Sequence, residues 1–386
     1  MNVSEIGKAF PRSEYIRRLA AVKSEMERRE VDAIIINNPT DLAYLTGHTQ
    51  GHTFSAQGLV VSLKEEEPTF ILRQMDAMAA IHKVFLRREN IVGYSEAFIA
   101  NPNADGYDVV IDCIEKIGLS SGRLGLGLST LPVEKFRSRL PNAKMVDVAN
   151  LVSWVRIVKS ELEISVMREA AAITDAAIAK AAEVIRAGVR EADAAAEIIA
   201  TLIRGANGKP GTDIQNFFLC ASPRTGTGHI SWTDDILRDG SQVNLELGGK
   251  RHGYCVAIMR TFSIGTPSDR LLRIHEAEVA GLEAALSKVR PGATCSDVAK
   301  AFYRTIEKRG FRKESRCGYS IGINWFEPTA MLKEDDLTEL RPNMTFHLML
   351  GNWIEEDFGY VIGETFRVTE TGFEVFTKTP RKLFEI

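Results

Sequence analysis

Three polar side chains have types that could do chemistry. His229 lies in the glycine-rich stretch GTGHISWTDD, Glu246 in the strand-like NLELGG, and Glu364 in IGETF. A histidine can take up and release a proton near neutral pH. In a glycine-rich loop the bland alternative is a structural or solvent-exposed ring. A carboxylate buried without a partner is costly, so packing explains Glu246 and Glu364 poorly. Tyr254, Tyr319, His347 and Trp353 stand on or beside neighbouring strand-like segments. They either line a pocket with donors and rings or fill core space. Five cysteines are dispersed without C-x-x-C spacing, and neither Cys255 nor Cys317 has an evident base to make a thiolate.

The elements that must position these groups can be read from the hydrophobic pattern. Tyr15, Leu19, Val22 and Met26 repeat at helical spacing between Ser13 and Arg29. VDAIIINN follows as a buried strand, and PTDLAYLTG as a turn and short helix closed by Gly47. GLVVSL and PTFIL read as strands and AMAAIHKVFL as a helix, so the first half alternates strand and helix in the manner of a layered α/β domain. Ser160 and Glu163 then form a capping box that opens a long alanine-rich helix predicted to run to Gly188. The expected division is an N-terminal domain over 1–158 and a catalytic domain over 159–386.

The second half repeats itself. IRAGVREADAAAE from Ile185 and VRPGATCSDVAKA from Val289 share x-Arg-x-Gly, an Asp five residues on and an Ala two residues later, at an offset of 104 residues. SQVNLELGG and NMTFHLMLG, both strand-like, recur at a similar offset, each followed by a turn and another strand starting at Tyr254 or Tyr360. Duplicated helix-plus-strand halves commonly place a site between them.

Composition narrows the function. Lys plus Arg number 48 against 51 Asp plus Glu, and no block of one sign stands out, which speaks against a nucleic-acid or membrane partner. No run of about 18 apolar residues exists to span a bilayer, and the first residues mix charges where a signal peptide needs an apolar run. An odd, dispersed cysteine count fits reduced thiols. The expectation is a soluble, cytoplasmic protein.

Taken in order, VDAIIINNPTDLAYLTG, VKSELEISVMREAA, GYCVAIMRTF, GYSIGINWFEP, RPNMTF and IGETFRVTETG resemble the creatinase/prolidase (pita-bread) family from about Glu14 to the C-terminus. The resemblance implies an α/β (α+β) fold: a small N-terminal α/β domain and a pita-bread domain of two pseudo-symmetric αββ halves, as a homodimer. Metal-dependent members hold two divalent ions with two Asp, one His and two Glu. Carried across, those positions fall on Glu246, Ala257, Tyr319, Met349 and Glu364. Two carboxylates of five ligands do not fill the first shell of a two-metal site, and a thioether suits neither magnesium nor manganese. No metal and no other cofactor is expected; His347, two residues before Met349, leaves a single ion open.

The metal-free branch of the family, creatinase and ectoine hydrolase, attacks a planar, nitrogen-rich cationic carbon with water. The implied roles are His229 as base and acid, with Glu246 and Glu364 gripping the cation through charge-assisted hydrogen bonds. Phe54, Tyr254, Tyr319, His347 and Trp353 are the expected substrate-binding residues, Phe54 reaching into the partner protomer's pocket. Arg260 belongs to a motif shared whatever the substrate and is expected to anchor the fold, with binding of a substrate carboxylate as the second choice. The C-terminal segments follow ectoine hydrolase more than creatinase: Met259 stands where creatinase has a glutamate. Ring opening of ectoine to an N-acetyl-diaminobutyrate is the expected reaction; a metallopeptidase with altered ligands and a non-catalytic binding protein are the alternatives.

Overall fold

The computed structural model describes residues 8–49, 55–127 and 129–386. The chain divides into two compact units, Met1–Arg156 and Ile157–Ile386. In the first, six strands form one sheet: β1 (Ala33–Ile36), β2 (Gly58–Ser62), β3 (Thr69–Arg73), β4 (Ile91–Tyr94), β5 (Arg123–Leu126) and β6 (Lys144–Asp147), in the order β4-β3-β2-β1-β5-β6. Its helices are α1 (Arg12–Arg28), α2 (Pro39–Thr46), α3 (Gln74–Ala80), α4 (Gly106–Lys116), α5 (Val133–Arg139) and α6 (Leu151–Val155). Gly47 ends α2 at φ 85°, the left-handed conformation the sequence suggested. The helix expected over AMAAIHKVFL is α3, displaced toward the N-terminus. It stops at Ala80, and Val84, Phe85 and Leu86 are buried outside any regular element.

The second unit is built from two copies of one plan. α7 (Glu161–Val184) and α8 (Glu191–Arg204) precede β7 (Phe218–Ala221) and the hairpin β8 (Gln242–Arg251) and β9 (Tyr254–Ser263). α9 (Asp269–Leu286) and α10 (Cys295–Glu307) precede β10 (Gly318–Ser320), β11 (Met331–Leu332) and the hairpin β12 (Thr345–Glu355) and β13 (Phe358–Val368). β14 (Phe373–Val375) and β15 (Phe384–Glu385) follow. The first residues of α8 and α10 are Glu191 and Cys295, the offset read from the sequence. The copies agree in detail, since Gly188 donates to the Leu237 carbonyl and Gly292 to that of Leu340. Ser160 and Glu163 complete their capping box at the start of α7. That helix ends at Val184, short of Gly188, because Ile185 turns extended and buries its side chain.

Nine strands form the sheet, ordered β11-β10-β12-β13-β9-β8-β7 with β14 on β13 and β15 on β9. Strand side chains alternate between faces. Leu245, Leu247, Ile258 and Phe262 point from β8 and β9 to the face covered by α7, and Phe346, Leu348, Leu350 and Ile362 point from β12 and β13 toward α9 and α10. Both cores lie on this helix-covered face. The other face is where the alternation places the remaining strand residues. Among the described residues, no helix is long and apolar enough to cross a membrane.

Candidate active site

Pairing register decides which polar residues share a face. Phe218 pairs with Glu246, Glu246 with Met259, Met259 with Gly363, and Gly363 with Met349, one row across β7, β8, β9, β13 and β12. Directly paired residues of antiparallel strands point to the same side. Two residues along β12, His347 pairs with both Thr365 and Tyr319, so it belongs to that side as well. Glu246, Tyr319, His347, Met349 and Trp353 therefore occupy the face away from the helices.

Three glycines make that face concave. A Cβ on Gly248 would come within 2.7 Å of the Trp325 ring, one on Gly351 within 2.6 Å of the Trp353 indole, and one on Gly363 within 3.1 Å of His347 Nε2. Rings thus lie close over the strands, where larger residues would exclude them. Trp325 Nε1 donates to Tyr319 Oη at 2.9 Å, and the edges of both rings meet the His347 imidazole at centroid distances of 5.6 and 5.8 Å. His347 is fully buried, and neither ring nitrogen has a hydrogen-bond partner. Burial holds its pKa down at about 3, so the ring is neutral throughout the physiological range.

Glu246 is the carboxylate of this face. It is 7% exposed, and burial raises its pKa to about 8, with the Lys313 ammonium opposing the shift. The proximity of Glu246 and Tyr319 is felt in the phenol, which burial first and the Glu246 charge second push upward. Lys313 is itself buried. It donates to Ser315 Oγ at 2.8 Å and to the Gly351 carbonyl, and lies 5.4 Å from the Trp353 ring centroid.

His229 reaches the same neighbourhood from a loop. It is exposed, and its ring meets Phe218, the direct neighbour of Glu246, edge-on at 5.1 Å. The loop is tied down on both sides of the sheet's midline. Asn244 Nδ2 donates to the Thr225 and Gly359 carbonyls at 3.3 and 3.0 Å, and Thr225 Oγ1 to that of Asp357 at 2.8 Å. Gly228 lets the Trp353 indole pass within 2.4 Å of where its Cβ would be.

Two residues expected in the site lie elsewhere. Glu364 follows Gly363 and so points to the helix-covered face. There its Oε1 accepts from Arg260 Nη2 at 2.6 Å and Arg381 Nε at 3.2 Å, and its Oε2 from Thr377 Oγ1 at 2.8 Å. Arg260 also donates to the carbonyls of Met259, Gly363, Thr379 and Pro380. The pair clasps the C-terminal segment to β9 and β13; it does not reach Glu246. Tyr254 is likewise on the wrong face, fully buried, donating to Glu163 Oε1 of α7 at 2.7 Å. Its hydroxyl is committed to the α7 helix. Phe54 lies outside the described residues.

The chain matches metallopeptidase family M24 over residues 165–370 and the creatinase/prolidase N-terminal domain over residues 18–158. It is a member of family M24. Among curated relatives of this M24 chain, the uncharacterized hydrolase/peptidase y4tL of Sinorhizobium fredii is 62% identical, covering 97% of each chain. The ectoine hydrolase of Halomonas elongata is 32% identical, covering 98% of this chain and 99% of its own. The Xaa-Pro dipeptidase from Bacillus anthracis superposes with a TM-score of 0.80 at 24% identity, covering 96% of this chain and all of the other. That last likeness shows the shared fold.

The M24 donor set can now be tested on the face itself. The fifth ligand position, placed on Glu364 from the sequence, falls on Gly363 once face is considered. Position 257 is an alanine whose N–H and carbonyl are both bonded to Thr365 Oγ1, at 3.0 and 2.8 Å. The five positions thus carry Glu246, Ala257, Tyr319, Met349 and Gly363, a single carboxylate among them. Among the described residues no group of three His, Cys, Asp or Glu could hold a metal ion. His347 does not repair the set, since with Glu246 it makes two donors, too few for the first shells of two divalent cations. This donor set does not fit two divalent cations. Sequence reasoning missed Trp325, Lys313 and Gly363. The only available signal was the Gly-Glu pair in IGETF, where a shift of one residue changes the face.

Proposed function

We propose that this M24 chain is a metal-independent hydrolase of a C–N bond in a small cyclic amidine, with ectoine opened to an N-acetyl-diaminobutyrate as the first substrate to test. The observation that carries the reading is Glu246, the sole carboxylate of the five-position set, on the strand face that also carries Tyr319 and Trp353 and that the Trp325 ring overlies. A planar cation is attracted both to a carboxylate and to aromatic faces. It brings its own positive charge, which makes its central carbon electrophilic.

In this mechanism Glu246 pairs with the amidinium N–H groups while the rings hold its plane. His229 takes a proton from water as the water oxygen bonds to the amidinium carbon. The ring C–N bond then breaks, its electron pair staying on nitrogen. His229 returns a proton to that nitrogen, and the added hydroxyl loses its proton as the amide carbonyl forms. His347, held neutral, offers one donor and one acceptor nitrogen to the bound ring. The reading includes a cytoplasmic homodimer in which Phe54 serves the partner protomer's pocket.

The pH profile tests the role of Glu246. Its carboxyl is neutral below about pH 8 and charged above it. An amidinium keeps its charge across that range, and only the carboxylate form pairs with it. The kcat/KM for ectoine, followed by amide product formation, is therefore expected to climb as pH rises through about 8. A profile that falls over the same interval would remove Glu246 as the cation's partner.

A further inference from the structure

Beside this strand face stands a cation that no acid neutralises among the described residues. Arg316 is exposed, and among the described residues it makes no ion pair and no hydrogen bond. Its guanidinium is nevertheless placed, lying 5.2 Å from the Tyr319 ring centroid and 5.3 Å from that of Phe326. A cation–π contact leaves the guanidinium N–H groups available, the groups that meet a carboxylate in a bidentate pair. Lys313, buried nearby, is close enough to repel Arg316, and its charge is felt by the buried carboxylates Glu278 and Glu246. Lys313 and Trp353 also line a cleft of about 560 Å³ between residues 310–315 and 351–354.

An exposed guanidinium that aromatic rings hold in place, with no carboxylate of its own, is ready for an anion. Tyr319 links it to the proposed site, since its ring carries Arg316 and also meets His347. Resting on the function proposed above, we infer that Arg316 is a specificity-determining residue that binds a carboxylate of the substrate. The substrate class narrows from cyclic amidines to zwitterionic ones, with a cation held over Glu246 and an anion held by Arg316.

The test compares equilibrium binding of ectoine and its descarboxy analogue, 2-methyl-1,4,5,6-tetrahydropyrimidine, to the full chain and to Arg316→Met, with unchanged thermal midpoint as the folding control. The parent should prefer ectoine by roughly ten- to a hundred-fold, the range of a charge-assisted pair, and the variant should lose most of that preference. Equal preference in both proteins overturns the inference. If neither amidine binds, Gly-Pro is the third probe, because it carries a carboxylate without an amidine. Weaker Gly-Pro binding by Arg316→Met then keeps the carboxylate site while the amidine reading falls. Gly-Pro binding that is equal in both proteins, or absent from both, overturns the carboxylate site too.

Discussion

Replacing Glu246 with glutamine is expected to lower kcat/KM for ectoine by roughly a thousand-fold, within the range seen when a positioned acid–base or charge-pairing group is lost. The side chain keeps its shape, so packing is undisturbed. What disappears is the ability to become anionic against the substrate cation. Stability should hold or rise, because a carboxylate that burial has driven toward its neutral form already prefers the uncharged state. Thermal denaturation alongside single-substrate kinetics checks both halves. A variant that retains activity to within about tenfold of the parent would contradict the role given to Glu246.

Glu364→Ala should give the opposite pattern: a large loss of stability and little change in turnover per folded molecule. Its carboxylate is 1% exposed and pairs with a wholly buried Arg260. Removing one partner of such a pair leaves the other charge buried and alone, at a cost of about 3–5 kcal/mol. Denaturant midpoints should shift accordingly, and the Thr377–Arg381 segment should become more open to proteolysis because Glu364 is one of its anchors. Loss of kcat in a variant of parental stability would return Glu364 to the site. Since the sequence reading gave Glu246 and Glu364 the same task, this pair of experiments separates the two assignments.

The difference between those carboxylates was not legible in the sequence, and the reason is geometric. Both sit in apolar strands, both stand near family motif positions, and both are buried. Only the pairing row from Glu246 through Met259 to Gly363 reveals that Glu364 is one residue out of phase. A strand's period is two, so one residue changes everything a side chain meets. Tyr254 failed for the same reason at the first position of β9. By contrast, local chemistry was readable. Ser160 with Glu163, Gly47 after α2, and the duplicated hairpins each declare themselves within a few residues. Lys313 and Arg316 lie in a turn-rich stretch between α10 and β10, and their significance depends on what tertiary packing brings beside them.

The pocket also explains why the glycines at 248, 351 and 363 matter to chemistry. Each holds open a space that a ring fills, and at 363 the space belongs to an imidazole with two unengaged nitrogens. Here the fold surrounds aromatic rings, a carboxyl group and a neutral histidine. In the proposed mechanism the positive charge at this site comes from the substrate. Ring-opening rates are to be measured with ectoine before and after exhaustive dialysis against EDTA, with metal content read by elemental analysis of the same samples. Unchanged kcat at far less than one equivalent of divalent metal is expected; activity that disappears on dialysis and returns with stoichiometric manganese, cobalt, iron or zinc would overturn the mechanism.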